Sequence, residues 1–160
     1  YTASDTLSLH DALPILYIRS MNLKDINNMD LLIKQLGYPS SNQKIQERFN
    51  KILNIPNYET FVAEVNGELV GFVGMCKQTA YEFDEPYVRL LALVVNDDYR
   101  RKNIGQNLML AVEDWAKKND CIAIILNSGN REERIAAHKF YKSLGYLEKS
   151  TGFSKSLTNI

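Results

Sequence analysis

The sequence has little of several features that mark specialised classes of protein. Its 160 residues include two cysteines, Cys76 and Cys121, which are too few for a disulfide framework and typical of a reducing, cytoplasmic compartment. No apolar run approaches the roughly 18 residues of a membrane span. Nineteen basic residues balance nineteen acidic ones, so net charge does not favour nucleic acid. No His, Cys, Asp or Glu grouping has metal-ligand spacing. We therefore expect no membrane, nucleic-acid or metal partner.

The first fifteen residues differ in character from the rest of the chain. The stretch SDTLSLHDALPI resembles the peptide produced when a sequencing adapter is translated in frame. We therefore expect residues 1–15 to be a non-native or disordered tract, with a short natural extension as the alternative. Residues 16–160 have the length of one domain.

Hydrophobic periodicity predicts strands and helices in the order β, α, α, β, β, β, α, β, α, β, β. Two helices are expected between residues 22 and 56, and Asn66-Gly67 predicts a hairpin. A buried strand, a loop, a helix and a second buried strand form a βαβ unit, which implies a parallel pair. The fold class is α/β (α+β), a mixed sheet of six to seven strands with about four helices on both faces. The elements that matter most below are the predicted strand Tyr87–Val95, the helix from Ile104 to Lys118, the strand Cys121–Leu126, the helix before Gly145 and the final strands Tyr146–Lys149 and Phe153–Leu157.

The loop from Val94 to Gly105 carries the clearest chemical signal. Three consecutive cations, Arg100, Arg101 and Lys102, lie just before a helix whose first N–H groups lack internal partners. Asn103 tolerates a positive φ, and Gly105 permits close approach of a ligand to the backbone. These features describe a phosphate or pyrophosphate site, although neither a Walker A nor a GxGxxG motif is present. A basic surface turn is the alternative.

Three motifs in order resemble the GCN5-related N-acetyltransferase (GNAT) family. Arg100-x-x-Asn103-x-Gly105 is similar to the family's Q/R-x-x-G-x-G/A loop, with asparagine in place of the first glycine. AHKFYKSLGY, ending at Tyr146, is similar to the family's last long helix, and VAEVNGELVGFVG to its central hairpin. The resemblance covers about Leu16 to Leu157.

The resemblance implies a mostly antiparallel twisted sheet with a splayed parallel strand pair at its centre. It also implies an acetyl-CoA-dependent N-acetyltransferase that moves the acetyl group directly to a primary amine. The loop would hold the pyrophosphate mainly through backbone N–H groups, the strand before it would pair with the pantetheine arm, and the backbone N–H of Val94 would meet the thioester carbonyl. The implied cofactor-binding residues are Leu93, Val94, Val95, Arg100, Arg101, Lys102, Asn103, Ile104, Gly105, Gln106, Asn130 and Tyr141.

The family match makes Tyr141 the candidate proton donor to the leaving thiolate. Its spacing alone would instead indicate a packed aromatic residue. No carboxylate lies between Val88 and Val95, so the candidate general bases are in the preceding loop. These are Glu82, Asp84 or Glu85, which would otherwise attract a cationic substrate or form a solvated acidic loop.

The acceptor is expected to be a small, cationic amine bound by the early helices and the loop before the buried strand. Candidate walls of its pocket are Tyr38, Tyr81 and Tyr87. A monomer or a homodimer is expected. The alternative function is a non-catalytic acyl-CoA-binding regulatory or interaction module, which the missing acid on the buried strand would favour.

Overall fold

A computed structural model describes residues 15–100 and 102–159. The predictions for residues 1–14 and for Arg101 lie outside these described residues. Within them the chain has five β-strands, four α-helices and three short 3₁₀ turns. The chain divides into two compact units, Tyr1–Ile124 and Ile125–Ile160, and each is described by itself.

The first unit is built on an antiparallel meander of four strands. They are β1 (Leu16–Ser20), β2 (Tyr58–Val65), β3 (Glu68–Gln78) and β4 (Tyr87–Val95), in the spatial order β1-β2-β3-β4. Asn66 and Gly67 join β2 to β3 with φ of 50° and 79°. Positive φ at both turn residues matches the strand twist, which explains why this dipeptide predicted the hairpin correctly.

The fifth strand, β5 (Ile124–Ile125), lies beside β4 and is shorter than the predicted Cys121–Leu126. The residues before it hydrogen bond to the beginning of β4. The Ile122 N–H donates to the Pro86 carbonyl at 3.0 Å, and the Val88 N–H donates to the Ala123 carbonyl at 2.9 Å. The bonds advance in the same direction along both segments, as they do between parallel strands. The sheet is therefore mixed.

The predicted number of strands was wrong. Five strands are present in the described residues, and the two predicted final strands, Tyr146–Lys149 and Phe153–Leu157, are not among them. Their large apolar side chains are exposed, Phe153 by 94% and Leu157 by 91%. A strand requires a hydrogen-bonded partner, and local alternation of residues does not specify one.

The first predicted helix is split in two. A 3₁₀ turn (Leu23–Asn28) precedes α1 (Asp30–Leu36), which ends at Gly37 with φ of 104°. The turn is fixed by a capping box, in which the Asn22 side chain accepts from the Lys24 N–H and the Asp25 carboxylate accepts from the Asn22 N–H. The next helix, α2 (Asn42–Leu53), has Ser41 as its N-cap, and the Ser41 hydroxyl accepts from the Lys44 N–H.

Helices cover both faces of the meander. Helices α1 and α2 pack with Phe72 and Val94 in one apolar cluster, and α3 (Ile104–Lys118) packs against the other face. At Gly71 the strand β3 has no room for a side chain. An added Cβ would lie 2.9 Å from the Val94 carbonyl oxygen and 3.3 Å from Leu108 of α3. This glycine lets β3, β4 and α3 approach closely.

The second unit contains α4 (Ile135–Ser143), which follows a 3₁₀ turn (Glu132–Arg134). Gly145, at φ of 90°, turns the chain after the helix, and the Tyr146 N–H donates to the Tyr141 carbonyl at 3.1 Å. The apolar spacing of the sequence predicted this helix and its glycine end.

Candidate active site

The chain leaves β4 through a loop that is fixed at Asn96. The Asn96 N–H donates to the Val70 carbonyl of β3 at 2.7 Å, which extends the β3–β4 ladder by one pair. The buried Asn96 side chain then accepts from the Asp98 N–H at 3.0 Å and begins a 3₁₀ turn (Asp97–Tyr99). The loop therefore starts from a defined position at the end of the sheet.

A side chain of α1 also holds this loop. Gln35 accepts a hydrogen bond from the Asp97 N–H at 2.9 Å, and its amide nitrogen lies 3.5 Å from the Asn96 side-chain oxygen. The sequence did not predict a role for Gln35 or Asn96 in holding this loop. An asparagine before two aspartates is a recognisable cap signal for Asn96, whereas Gln35 has no local signal because its contacts are more than 60 residues away.

The N-terminus of α3 presents unpartnered backbone donors. Asn103 adopts the left-handed conformation that its sequence position predicted, with φ of 60° and ψ of 18°, and its side chain makes no capping hydrogen bond. The first helical hydrogen bond runs from the Asn107 N–H to the Asn103 carbonyl. The N–H groups of Ile104, Gly105 and Gln106 therefore lack helical acceptors. With the helix dipole, they form a binding site suited to an anion.

The side chains of Arg100 and Lys102 lie at the surface, each beside a neighbour. Arg100 pairs with Asp97 at 2.6 Å, and both side chains are more than half exposed, so the pair contributes little to stability. The Lys102 ammonium lies 5.2 Å from the centre of the Tyr99 ring. The Tyr99 hydroxyl donates to Glu68, which raises the pKa of the phenol. The loop thus places two surface cations near the first N–H groups of α3.

The register of β4 decides which of its backbone donors face away from β3. The hydrogen bond of Asn96 sets the alternation, so Val94 and Phe72 form the next hydrogen-bonded pair. The Val94 N–H, which the sequence resemblance implied as the donor, therefore points toward β3. The N–H groups of Leu93 and Val95 point to the opposite side.

β4 carries a bulge just before these donors. Gly74 pairs with Ala92, but Met75 pairs with Leu90, so Leu91 is an extra residue in the ladder. Its side chain is 49% exposed. The bulge interrupts the regular strand just before Leu93 and Val95, which lead into the loop between β4 and α3.

A cavity of about 170 Å³ lies against the bulge, lined in part by Leu91 and Ala92. Its other walls come from α1, α2, the segment between them, β2 and β3. Most lining side chains are apolar. The polar ones are Tyr38, Arg48, Tyr58 and Thr60.

The predicted acceptor-pocket tyrosines separate in the structure. Tyr38 lines the cavity, whereas Tyr81 and Tyr87 do not. Tyr81 is fully exposed, and the Tyr87 hydroxyl donates to the Gln78 side chain at 2.7 Å. The three acidic candidates are all exposed in the loop before β4 and none lines the cavity: Glu82, Asp84 and Glu85.

Tyr141 lies on α4 in the second unit. Its ring packs edge-on against Phe140 at 5.3 Å and Tyr146 at 5.9 Å. Burial raises the pKa of the Tyr141 phenol, and the charge of Arg134 opposes this effect. The hydroxyl therefore keeps its proton at neutral pH and is a hydrogen-bond donor. Asn130, the other predicted residue of this unit, is exposed.

The two cysteines are not activated as nucleophiles. Burial raises the pKa of both the Cys76 and the Cys121 thiol, which disfavours the nucleophilic thiolate. In residues 15–100 and 102–159, no group of three or more His, Cys, Asp or Glu side chains is placed to hold a metal ion. No helix in the same ranges has the length and apolar character of a membrane span.

The fold and the loop geometry together define an α/β protein with an anion-suited helix N-terminus beside its sheet, and the comparisons name the family. The chain matches the model described as "Acetyltransferase (GNAT) family" over residues 24–146. This match covers more than half of the chain, so the chain belongs to the GNAT acetyltransferase family.

Several relatives carry a named activity. The chain is 26% identical to an aminoalkylphosphonate N-acetyltransferase of Salmonella typhimurium over 92% of this chain and 95% of that protein. It is 35% identical to the N-acetylaspartate synthetase of Mus musculus, but the match covers 54% of this chain and 27% of the mouse protein. The chain thus spans about a quarter of that relative.

Solved structures share the fold along nearly the whole chain. A GNAT family acetyltransferase of Staphylococcus aureus is 32% identical, with a TM-score of 0.78 over 89% of this chain and 98% of that one. The aminoglycoside N-acetyltransferase AAC(6')-Iy, solved in complex with CoA, has a TM-score of 0.79 over 92% of this chain and 98% of its own. At 21% identity, this second likeness shows the fold alone.

Proposed function

We propose that the chain is an acetyl-CoA-dependent N-acetyltransferase that acts on the primary amine of a small molecule. The observation that carries the proposal is the N-terminus of α3, which has no side-chain cap and follows Asn103 at the end of the loop after β4. Its free N–H groups and the helix dipole suit the pyrophosphate of CoA.

The residues present fit the rest of the cofactor. The N–H groups of Leu93 and Val95 are spaced two residues apart on the side of β4 away from β3. That of Val95 would pair with an amide of an extended arm as another strand does, which leaves that of Leu93 for the acyl group. Arg100 and Lys102 would supply charge to the phosphates. Gln35 and Asn96 would hold the loop in place while it binds.

Acetyl-CoA supplies an activated acyl group when it is bound. We assign the N–H of Leu93, in place of that of Val94, as the donor to the carbonyl oxygen of this group, because the ladder turns it to the correct side. We assign Tyr141 as the hydrogen-bond donor to the departing sulfur, since its phenol stays protonated at neutral pH. No proton transfer is routed through the acidic loop, because Glu82, Asp84 and Glu85 lie off the cavity.

The names of the relatives do not identify a single class of acceptor. One is named for an aminoalkylphosphonate and another for an aminoglycoside, and these amines differ in charge. The proposed function is therefore limited to a small primary amine. The cytoplasmic location and the monomeric or dimeric state stay predictions from the sequence.

The test is amine-dependent release of free thiol from acetyl-CoA by the purified chain, measured across a panel of primary amines. Thiol release that depends on the amine would support the proposal. CoA binding, seen as a raised melting temperature, without release on any amine would favour the binding module. No effect of CoA on the melting temperature would contradict both.

A matched pair of variants tests the location of the site. Lys102→Gln and Lys118→Gln remove the same charge from the two ends of α3. We expect Lys102→Gln to weaken CoA binding by about 2- to 10-fold, the effect of one surface charge, while Lys118→Gln has no effect. Equal effects of the two variants would contradict the assigned site.

A further inference from the structure

The cavity beside the β4 bulge has an unusual electrostatic character. Within the described part of the chain its lining carries one charged side chain, Arg48 of α2, and no carboxylate. The guanidinium donates one long hydrogen bond, to the Ser40 hydroxyl at 3.4 Å. A cation at an apolar cavity thus faces no compensating negative charge on the cavity wall.

Two other arginines of the first unit form ion pairs. Arg19 forms ion pairs with Asp25 and Glu64, and Arg100 with Asp97. Among the ion pairs formed by residues 15–100 and 102–159, none includes Arg48. A guanidinium has five N–H donors in a planar fork that matches a carboxylate or phosphonate. Among the described residues Arg48 donates this one hydrogen bond, and its exposed side chain keeps the other N–H donors available to a ligand or to water.

The cavity reaches from this cation to the bulge of β4. Arg48 lies at its helical wall, and Leu91 and Ala92 form its wall at the strand, next to the proposed position of the acyl group. A ligand that spans the cavity would have an anionic group at one wall and its reactive group at the other. The walls between them are mostly apolar, and Arg48 itself is exposed at the edge of the cavity.

We propose that the acceptor is a small amine that also carries an oxyanion, either a carboxylate or a phosphonate, and that Arg48 binds this oxyanion. The inference rests on the proposed function. It replaces the cationic acceptor that the acidic loop suggested, because that loop lies off the cavity whereas Arg48 lines it. Arg48 is then a specificity-determining residue, and the short apolar part of the acceptor lies between it and the bulge.

The experiment compares amines that share a carbon skeleton and differ in the group that would face Arg48. Each set contains an aminoalkyl carboxylate, the matching phosphonate and the neutral carboxamide, with chains of graded length and with apolar side chains. Thiol release from acetyl-CoA gives kcat/KM for each amine. Calorimetric titration without acetyl-CoA gives the affinity of the same amines, independently of turnover.

We expect at least a tenfold preference of the wild type for an acidic amine over its carboxamide, as expected for a charge-assisted bidentate contact. The stronger of the two acids identifies the oxyanion. Arg48→Gln should lower kcat/KM for the acidic amines at least tenfold more than for the carboxamide, and Arg48→Lys should restore part of the preference. Lys51→Gln is the matched control, because Lys51 is exposed on the same helix and does not line the cavity.

Two results would overturn the inference while the proposed function stands. One is equal use of acids and carboxamides by the wild type, or a preference for diamines. The other is an Arg48→Gln variant that keeps the wild-type preference. If no amine releases thiol, the proposed function fails, and the calorimetric titration alone then tests whether Arg48 binds an oxyanion. Binding of acids that Arg48→Gln loses would then support the role of Arg48, and no binding would overturn it.

Discussion

Replacing Asp25 with asparagine tests whether a buried ion pair holds the helical wall of the cavity. Asp25 is 6% exposed, and its two carboxylate oxygens lie 2.7 and 2.8 Å from the Arg19 guanidinium nitrogens. It also accepts from the Asn22 N–H at 2.8 Å, which fixes the turn that leads into α1. The asparagine keeps the shape of the side chain and removes the charge.

The expected loss follows from these contacts. Breaking a buried pair costs about 3–5 kcal/mol, but Arg19 is one-third exposed and keeps a second partner, Glu64, at 3.2 Å. We therefore expect Asp25→Asn to lower the free energy of unfolding by about 2–3 kcal/mol at neutral pH. For a chain of this size that corresponds to a melting temperature lower by about 4–12 °C. Glu64→Gln affects one longer contact, and it should lower the free energy of unfolding by less than about 1 kcal/mol.

The pH dependence provides a second, independent readout. The Arg19 hydrogen bond holds the pKa of Asp25 below its ordinary value. The stabilisation is therefore complete above the unfolded pKa of about 3.9 and is lost as pH falls through the lower folded value. Thermal melts of the wild type and Asp25→Asn should differ by a constant amount between about pH 5 and 7 and converge in acid. A difference that persists unchanged in acid, or that stays below about 1 kcal/mol at neutral pH, would refute the reasoning.

Three further predictions concern the site and its support. Tyr141→Phe should lower kcat by about 10- to 1000-fold with little change in CoA affinity, and unchanged turnover would remove its assigned role. Gly71→Ala should lower the free energy of unfolding by about 1–3 kcal/mol because its Cβ would meet the β4 backbone. Gly74→Ala is the control, because its Cβ meets nothing within 4 Å, and equal denaturation midpoints of the two variants would contradict this prediction. Asn103→Gly should keep CoA affinity, while Asn103→Val, which resists a positive φ, should weaken it about tenfold or more in a titration.

The elements next to the site were predictable because their signals are local. The bounds of β4 and α3 follow from a continuous apolar run and from a 3.6-residue repeat, and the structure has the same bounds. The left-handed Asn103 and the Asn66-Gly67 turn follow from conformational preferences of single residues. Local preferences therefore identified β4, the left-handed Asn103 and α3, which form the candidate cofactor site.

The remaining features depend on which segments meet in space. Neither the contacts of Gln35 with the loop nor the position of Arg48 on the cavity wall has a signature in the neighbouring sequence. The donor side of β4 depends on a register that a one-residue bulge at Leu91 changes. The sequence from Tyr146 onward, where two last strands were expected, does not specify which strand would pair with them.

The most direct test of the account is an amide-resolved NMR titration of the chain with CoA. The account predicts that the largest chemical-shift changes fall on the amides of Gly105, Gln106, Leu93 and Val95. Amides at the C-terminal end of α3, near Lys118, should change little. Changes distributed elsewhere, or no change at saturating CoA, would contradict the central claim that β4 and the N-terminus of α3 form the cofactor site.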